Sequence, residues 1–123
     1  MDSESPVPVV LVVDDEPLIR MFAVDVIEDA GFLSIEAADG AEALALLATH
    51  PEITVLFTDI NMPGPFDGLE LARKAHLLRP DVELIVTSGR EHPAKADIPD
   101  NGRFVTKPYC ASILAGLIAT KRT

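Results

Sequence analysis

The sequence predicts an α/β fold: a doubly wound sheet of five parallel strands in the order 2-1-3-4-5, with helices on both faces. Short apolar runs rich in β-branched residues alternate with stretches of helical period. Strands separated by helices pair in parallel, because the crossover returns the chain to the same edge. The chain has 123 residues, the size of one domain, and 48% of them are hydrophobic, enough for a core on each side of a sheet.

Each element has its own signal. Residues 1–7 carry no apolar pattern and are expected to form a loose arm, with the domain proper over residues 8–121. "PVVLVV" (8–13) is an unbroken β-branched run, the pattern of a strand buried on both faces. "PLIRMFAVDVIEDAG" (17–31) opens on Pro17, suited to a first helical turn, and ends on a plausible C-cap, Gly31. Its expected apolar face is Leu18, Phe22 and Val26, with Ile19, Ala23 and Ile27 beside them. "FLSIEA" (32–37) is a weaker strand. Asp39 and Glu42 have capping-box spacing, and Leu44, Leu47 and Ala48 give the next helix its apolar face up to Pro51. "ITVLFT" (53–58) is a second buried strand, and "GLELARKAHLLR" (68–79) is a helix stopped by Pro80. "VELIVTS" (82–88) and "GRFVTK" (102–107) are the last strands, and "CASILAGLIATKR" (110–122) is the last helix, with Cys110 expected to pack within it. Between those strands "GREHPAKADIPDN" (89–101) has two prolines and one large aliphatic residue, Ile98. A helix there is expected to be short, frayed or disordered.

Charge and composition exclude several classes. Twenty acidic against ten basic residues give a net charge of −10, the wrong sign for tracking nucleic-acid phosphates. The single cysteine, Cys110, rules out an internal disulfide framework and fits a reducing compartment. The acidic start "MDSESPVP" is no signal peptide, and no apolar run approaches membrane-spanning length, so a cytoplasmic protein with no membrane partner is expected. No glycine-rich phosphate loop follows the first strand, which argues against nucleotide binding. His50, His76 and His92 fall on different elements and are expected at the surface.

In doubly wound sheets ligands bind beyond the carboxyl ends of the strands, where the strand order reverses. Asp14 and Asp15 end strand 1 and Asp59 ends strand 3, so three acids meet at that point. Each alone is an ordinary cap or loop residue. Together they repel: two unit charges about 5 Å apart cost roughly 3 kcal/mol at an effective dielectric near 20. Three such carboxylates need a cation or a shared proton, and all-oxygen ligands select a hard ion such as Mg²⁺ or Mn²⁺. Thr87 and Lys107 end strands 4 and 5 at the same edge. A cation, a hydroxyl donor and a metal around one carboxylate suit phosphoryl transfer, with Asp59 as nucleophile forming an aspartyl phosphate.

"VVDDEP", "FTDINMP", "DGLELA", "VTS" and "KPY" together resemble the receiver domain of two-component response regulators, nearest the stand-alone, chemotaxis-regulator type. No single motif is decisive; their joint order and spacing over about residues 8–121 is. The resemblance implies a flavodoxin-like fold and Asp59 as the phosphoacceptor. It implies that Asp14 and Asp15 hold Mg²⁺, that Asn61 adds its backbone carbonyl, and that the Asn61 side chain faces the phosphoryl group and affects how fast the phosphate is lost. Thr87 and Lys107 would bind phosphoryl oxygens. Phe104 would be the aromatic switch that turns inward, unless it is simply a packed strand aromatic. Implied partners are a sensor histidine kinase or histidine phosphotransfer protein and a downstream protein, with the chain a monomer or weak homodimer. No output domain is expected after the last helix, so signalling by docking or by phosphorelay is expected rather than DNA binding or enzymatic output.

Three features depart from the family pattern. The loop carries "GPF" before Asp67-Gly68, one residue more than usual; Ser88 stands where alanine is common; and residues 89–101 are poor in helix formers. Two alternatives stay open. One is a pseudo-receiver that binds without being phosphorylated. The other is a phosphatase of the haloacid dehalogenase type, which needs a general acid two residues after its nucleophile, where this chain has Asn61.

Overall fold

Period-two alternation sorts the strand side chains onto two faces, and the helices cover both. The computed structural model describes residues 7–62, 64–89, 98 and 102–120. The strands are β1 (Val9–Val13), β2 (Leu33–Ala37), β3 (Ile53–Asp59), β4 (Glu83–Ser88) and β5 (Arg103–Thr106). They form one sheet in the order β2-β1-β3-β4-β5, with every neighbouring pair parallel. The described helices are α1 (Pro17–Asp29), α2 (Gly40–Thr49), α3 (Gly68–Leu78) and α4 (Ala111–Thr120).

On one face Val9, Leu11, Val13, Leu56, Leu84 and Val86 pack against Ala43 and Leu47 of α2 and Leu71, Ala72 and Ala75 of α3. On the other, Val10, Val12, Val55, Phe57, Ile85 and Val105 meet Ala23, Val26 and Ile27 of α1 and Leu114 and Ile118 of α4. The edge strand β2 is only partly covered, with Leu33 exposed, which accounts for its weaker sequence signal.

The caps follow local chemistry. Asp39 accepts from the Glu42 N–H at 2.8 Å, and the Glu42 carboxylate accepts in turn from the Ala38 N–H at 2.8 Å. Asp67 repeats the device on α3, accepting from the Glu70 N–H at 2.9 Å; the same Asp-x-x-Glu spacing was there to be seen.

Three local expectations need correction. Of the predicted α1 face, Ala23, Val26 and Ile27 are buried, but Leu18 is 80% and Phe22 54% exposed. At about 100° per residue Leu18 and Phe22 turn away from the stripe centred on Ala23, Val26 and Ile27, whereas Ile19, which lies on that stripe in the same first turn, is half-buried. Cys110 lies just before the first turn of α4 and is exposed, so it is not a packed helix residue. His50 and His76 are both half-buried rather than fully at the surface. The expected arm over residues 1–7 and the expected weak helix over 89–101 fall outside the described residues, apart from Val7, Gly89 and Ile98.

Candidate functional site

Parallel register brings the strand ends to one edge. Val13 pairs with Thr58, and Asp59 pairs with Thr87, so Asp14 and Asp15 emerge beside Asp59. Carboxylate oxygens of Asp14, Asp15 and Asp59 lie within 4.8 Å of one another, an all-oxygen cluster that could hold a hard divalent cation. Asp14 and Asp59 are buried and Asp15 is half-buried.

The backbone around each acid is fixed by its neighbours. The Glu16 N–H donates to Asp14 Oδ1 at 2.9 Å, and Arg20 Nη1 donates to the Asp14 carbonyl at 2.7 Å. Arg20 is itself held by Glu36 of β2 at 2.9 Å. The Asn61 N–H donates to Asp59 Oδ1 at 3.1 Å, and Thr58 Oγ1 donates to the Asp59 carbonyl at 3.0 Å. Gly68 packs so closely that a Cβ there would overlap the Asp59 carbonyl and Ile60 Cα. That close approach explains the glycine of "DG". No motif pointed to Arg20, because its contact spans a loop–helix junction.

Lys107 balances part of the charge. Its ammonium lies 3.1 Å from Asp59 Oδ2 and 3.7 Å from Asp14 Oδ2. The Lys107 N–H donates to the Ser88 carbonyl at 3.0 Å, which ties the end of β5 to β4; the peptide to Pro108 is cis. Burial pushes the Asp14 carboxyl above the usual carboxylate range. The Glu16 N–H and Lys107 oppose this, while Asp59 and Asp15 add to it. Thr87 is buried, and its hydroxyl has no hydrogen-bond partner among the described residues. An orphaned buried hydroxyl is costly unless something else uses it.

The cleft above these groups is lined by Asp15, Glu16, Ile19, Asp59, Asn61, Gly89 and Lys107. Asn61 Nδ2 donates to Ser88 Oγ at 3.1 Å. Beside the cleft the Tyr109 ring packs edge-on against Phe57, with centroids 5.4 Å apart, and lies 6.0 Å from Phe22. Burial, and then the Asp14 and Asp59 charges, push the Tyr109 phenol up to about 12.

Asp14, Asp15, Asp59, Asn61, Thr87 and Lys107 thus converge. Phe104 does not line this cleft; it is half-buried on the α2/α3 side of the sheet. In the "GPF" loop, Phe66 packs over Gly40 at the start of α2, and Lys74 Nζ lies 5.4 Å from its ring centroid. The part of the loop that is described faces α2 and α3 rather than Asp59; Pro63, expected to stiffen it, lies outside the described residues. Neither His50 nor His76 joins the acids, and His92 is outside the described residues.

A family profile for the response regulator receiver domain matches residues 10–117. Protein PilG of Pseudomonas aeruginosa is 34% identical over 124 residues, covering 96% of this chain and 90% of PilG. The response regulator receiver protein CpdR of Brucella abortus is 33% identical, covering 81% of this chain and 84% of CpdR. Sensor kinase CckA of the same organism is 34% identical over 110 residues, where the match spans only 12% of the kinase. Among solved structures, a response regulator receiver protein from Pseudomonas putida superposes with a TM-score of 0.83 at 29% identity, covering 95% of this chain and 99% of that one.

Proposed function

The chain belongs to the response regulator receiver domain family, and from that premise we propose that it accepts a phosphoryl group on Asp59. The donor is a histidine kinase or a histidine phosphotransfer protein. The outcome is altered binding to a downstream protein or onward relay of the phosphate. One juxtaposition carries this reading: beside Asp59 stand a lysine ammonium at 3.1 Å, two further carboxylates and the Thr87 hydroxyl, which has no hydrogen-bond partner among the described residues.

In the proposed transfer an Asp59 carboxylate oxygen bonds to phosphorus. The bond from phosphorus to the donor's imidazole nitrogen breaks, and its electron pair stays on the nitrogen. Lys107 then pairs with a phosphoryl oxygen, and the Thr87 hydroxyl donates to another. Asp14, Asp15, Asp59 and the Asn61 carbonyl would hold Mg²⁺ or Mn²⁺. The ion supplies positive charge against the phosphoryl oxygens. The new charge shifts a two-state equilibrium through these contacts, with Phe104 as the side chain that changes packing. A phosphatase reading lacks its general acid, since residue 61 is a carboxamide.

Acetyl phosphate with Mg²⁺ tests the proposal. The intact mass should rise by one phosphoryl group, and Asp59→Asn should abolish the gain. Labelling that persists in Asp59→Asn, or that needs no divalent ion, would overturn it.

A further inference from the structure

Asp15 is the least secured of the three acids. The Asp14 carboxylate accepts from the Glu16 N–H, and that of Asp59 accepts from the Asn61 N–H and from Lys107. Among the described residues no hydrogen bond reaches the carboxylate of half-buried Asp15. The other two carboxylates, with oxygens within 4.8 Å of its own, repel it. Its place over the site is therefore set by its backbone. The Asp14 carbonyl and the Asp15 N–H share one rigid peptide plane. That carbonyl lies past the last ladder pairs of β1, Val13 with Ala37 and Val13 with Thr58. Arg20 Nη1 supplies its donor instead, at 2.7 Å. The same guanidinium pairs with Glu36 of β2 at 2.9 Å, and the Arg20 side chain is only 18% exposed. A planar fork gripped at two points cannot turn without breaking a bond.

We infer that Arg20, braced by Glu36, is a positioning residue for divalent-ion binding: it fixes the Asp14–Asp15 peptide so that Asp15 is held beside Asp59 in advance. The inference rests on the reading that the three acids hold Mg²⁺ or Mn²⁺. Arg20 is no ligand and acts only through that peptide. Ordering Asp15 beforehand removes the ordering cost from binding. Charge and position here predict opposite signs. Arg20 is a cation beside an acidic site, so if only its charge mattered, removing it would tighten cation binding. If it positions Asp15, removing it weakens binding.

The test is an NMR titration with Mg²⁺ of wild type, Arg20→Met, Arg20→Lys, Glu36→Gln and the Arg20→Met/Glu36→Gln double variant. The same spectra show that each variant is folded. Arg20→Met keeps the aliphatic stem and loses the donors; it should weaken Mg²⁺ binding about tenfold. Arg20→Lys keeps the charge, but one ammonium cannot span both partners, so binding should weaken about threefold where charge alone predicts no change. Glu36→Gln should weaken binding in wild type and not in the Arg20→Met background, since the two side chains act as one unit. In the metal-free protein the Asp15 amide should be as ordered as β1, and mobile in Arg20→Met. Unchanged or tighter Mg²⁺ binding in Arg20→Met or Arg20→Lys, an undiminished Glu36→Gln effect in the double variant, or an Asp15 amide equally ordered without the guanidinium would overturn the inference. Wild type in which Mg²⁺ moves no resonance of the three acids would sink the metal reading itself, whereas the other failures leave that reading standing.

Discussion

Arg79 closes the junction between α2, β3 and the end of α3 through one guanidinium. It donates to the carbonyls of Leu47, His50, Pro51 and Ile53, at distances from 2.9 to 3.4 Å, and to both Asp81 oxygens. Arg79→Ala strands several of these acceptors and should cost about 2 kcal/mol in urea denaturation. The Arg79 hydrogen bond holds the Asp81 carboxyl below its ordinary value of 3.8. A carboxyl lowered by folding contributes stability above its unfolded value, and that contribution is lost as pH falls through the folded value. The advantage of wild type over Asp81→Asn should therefore be small, since the pair is exposed, and should fade below pH 3.8. Tyr109 has the opposite sign. It is the one tyrosine in the chain, so tyrosinate absorbance reports it alone. Its ionisation should centre near 12 in the folded protein. The stability it contributes is whole below pH 10 and is lost as pH rises through about 12. A midpoint near 10 with the fold intact would contradict the packing between Phe57 and Phe22.

Among the elements, the start of α3 is the most constrained, because it abuts the backbone of Asp59. Gly68→Ala should displace Asp59 or tilt α3, costing about 1–3 kcal/mol and slowing phosphoryl uptake as well. The caps are less severe: Asp39→Ala should cost about 1 kcal/mol, measurable by thermal denaturation, with uptake unchanged. Strands and helices were legible because their signals are local. The β-branched run of β1, the Asp39–Glu42 pair and the proline stops each act within a few residues. The orientation of α1 was not legible in the same way. Leu18 and Phe22 sit at helical spacing with Val26, yet only Ala23, Val26 and Ile27 lie over the sheet. A row of residues four apart drifts around the helix by about 40° at each step, so the Leu18–Phe22–Val26 row leaves the buried stripe toward its start, and packing chose the Ile19–Ala23–Ile27 row beside it. Phe66 is a similar case: its burial over Gly40 follows from where α2 begins.

At the scale of the whole molecule, the two cores share a single sheet, so damage to one face should weaken both. Leu56, fully buried on the α2/α3 face, should lose about 2–5 kcal/mol as Leu56→Ala, in one cooperative transition. Three carboxylates with one lysine leave the site net negative. Mg²⁺ should therefore raise the melting temperature through binding to the folded state, and Asp14→Asn should abolish most of that gain in calorimetry. By itself the sequence determined the element order, the parallel topology and the arrival of Asp14, Asp15, Asp59, Thr87 and Lys107 at one edge. Strand-end position and crossover handedness suffice for that. Only the tertiary structure decided that Lys107 reaches Asp59 at 3.1 Å, that Arg20 grips the Asp14 carbonyl, and that Asn61 is tied to Ser88. These contacts depend on the register of neighbouring strands and on the reach of individual rotamers, and both are set by packing over the whole sheet rather than by neighbours along the chain.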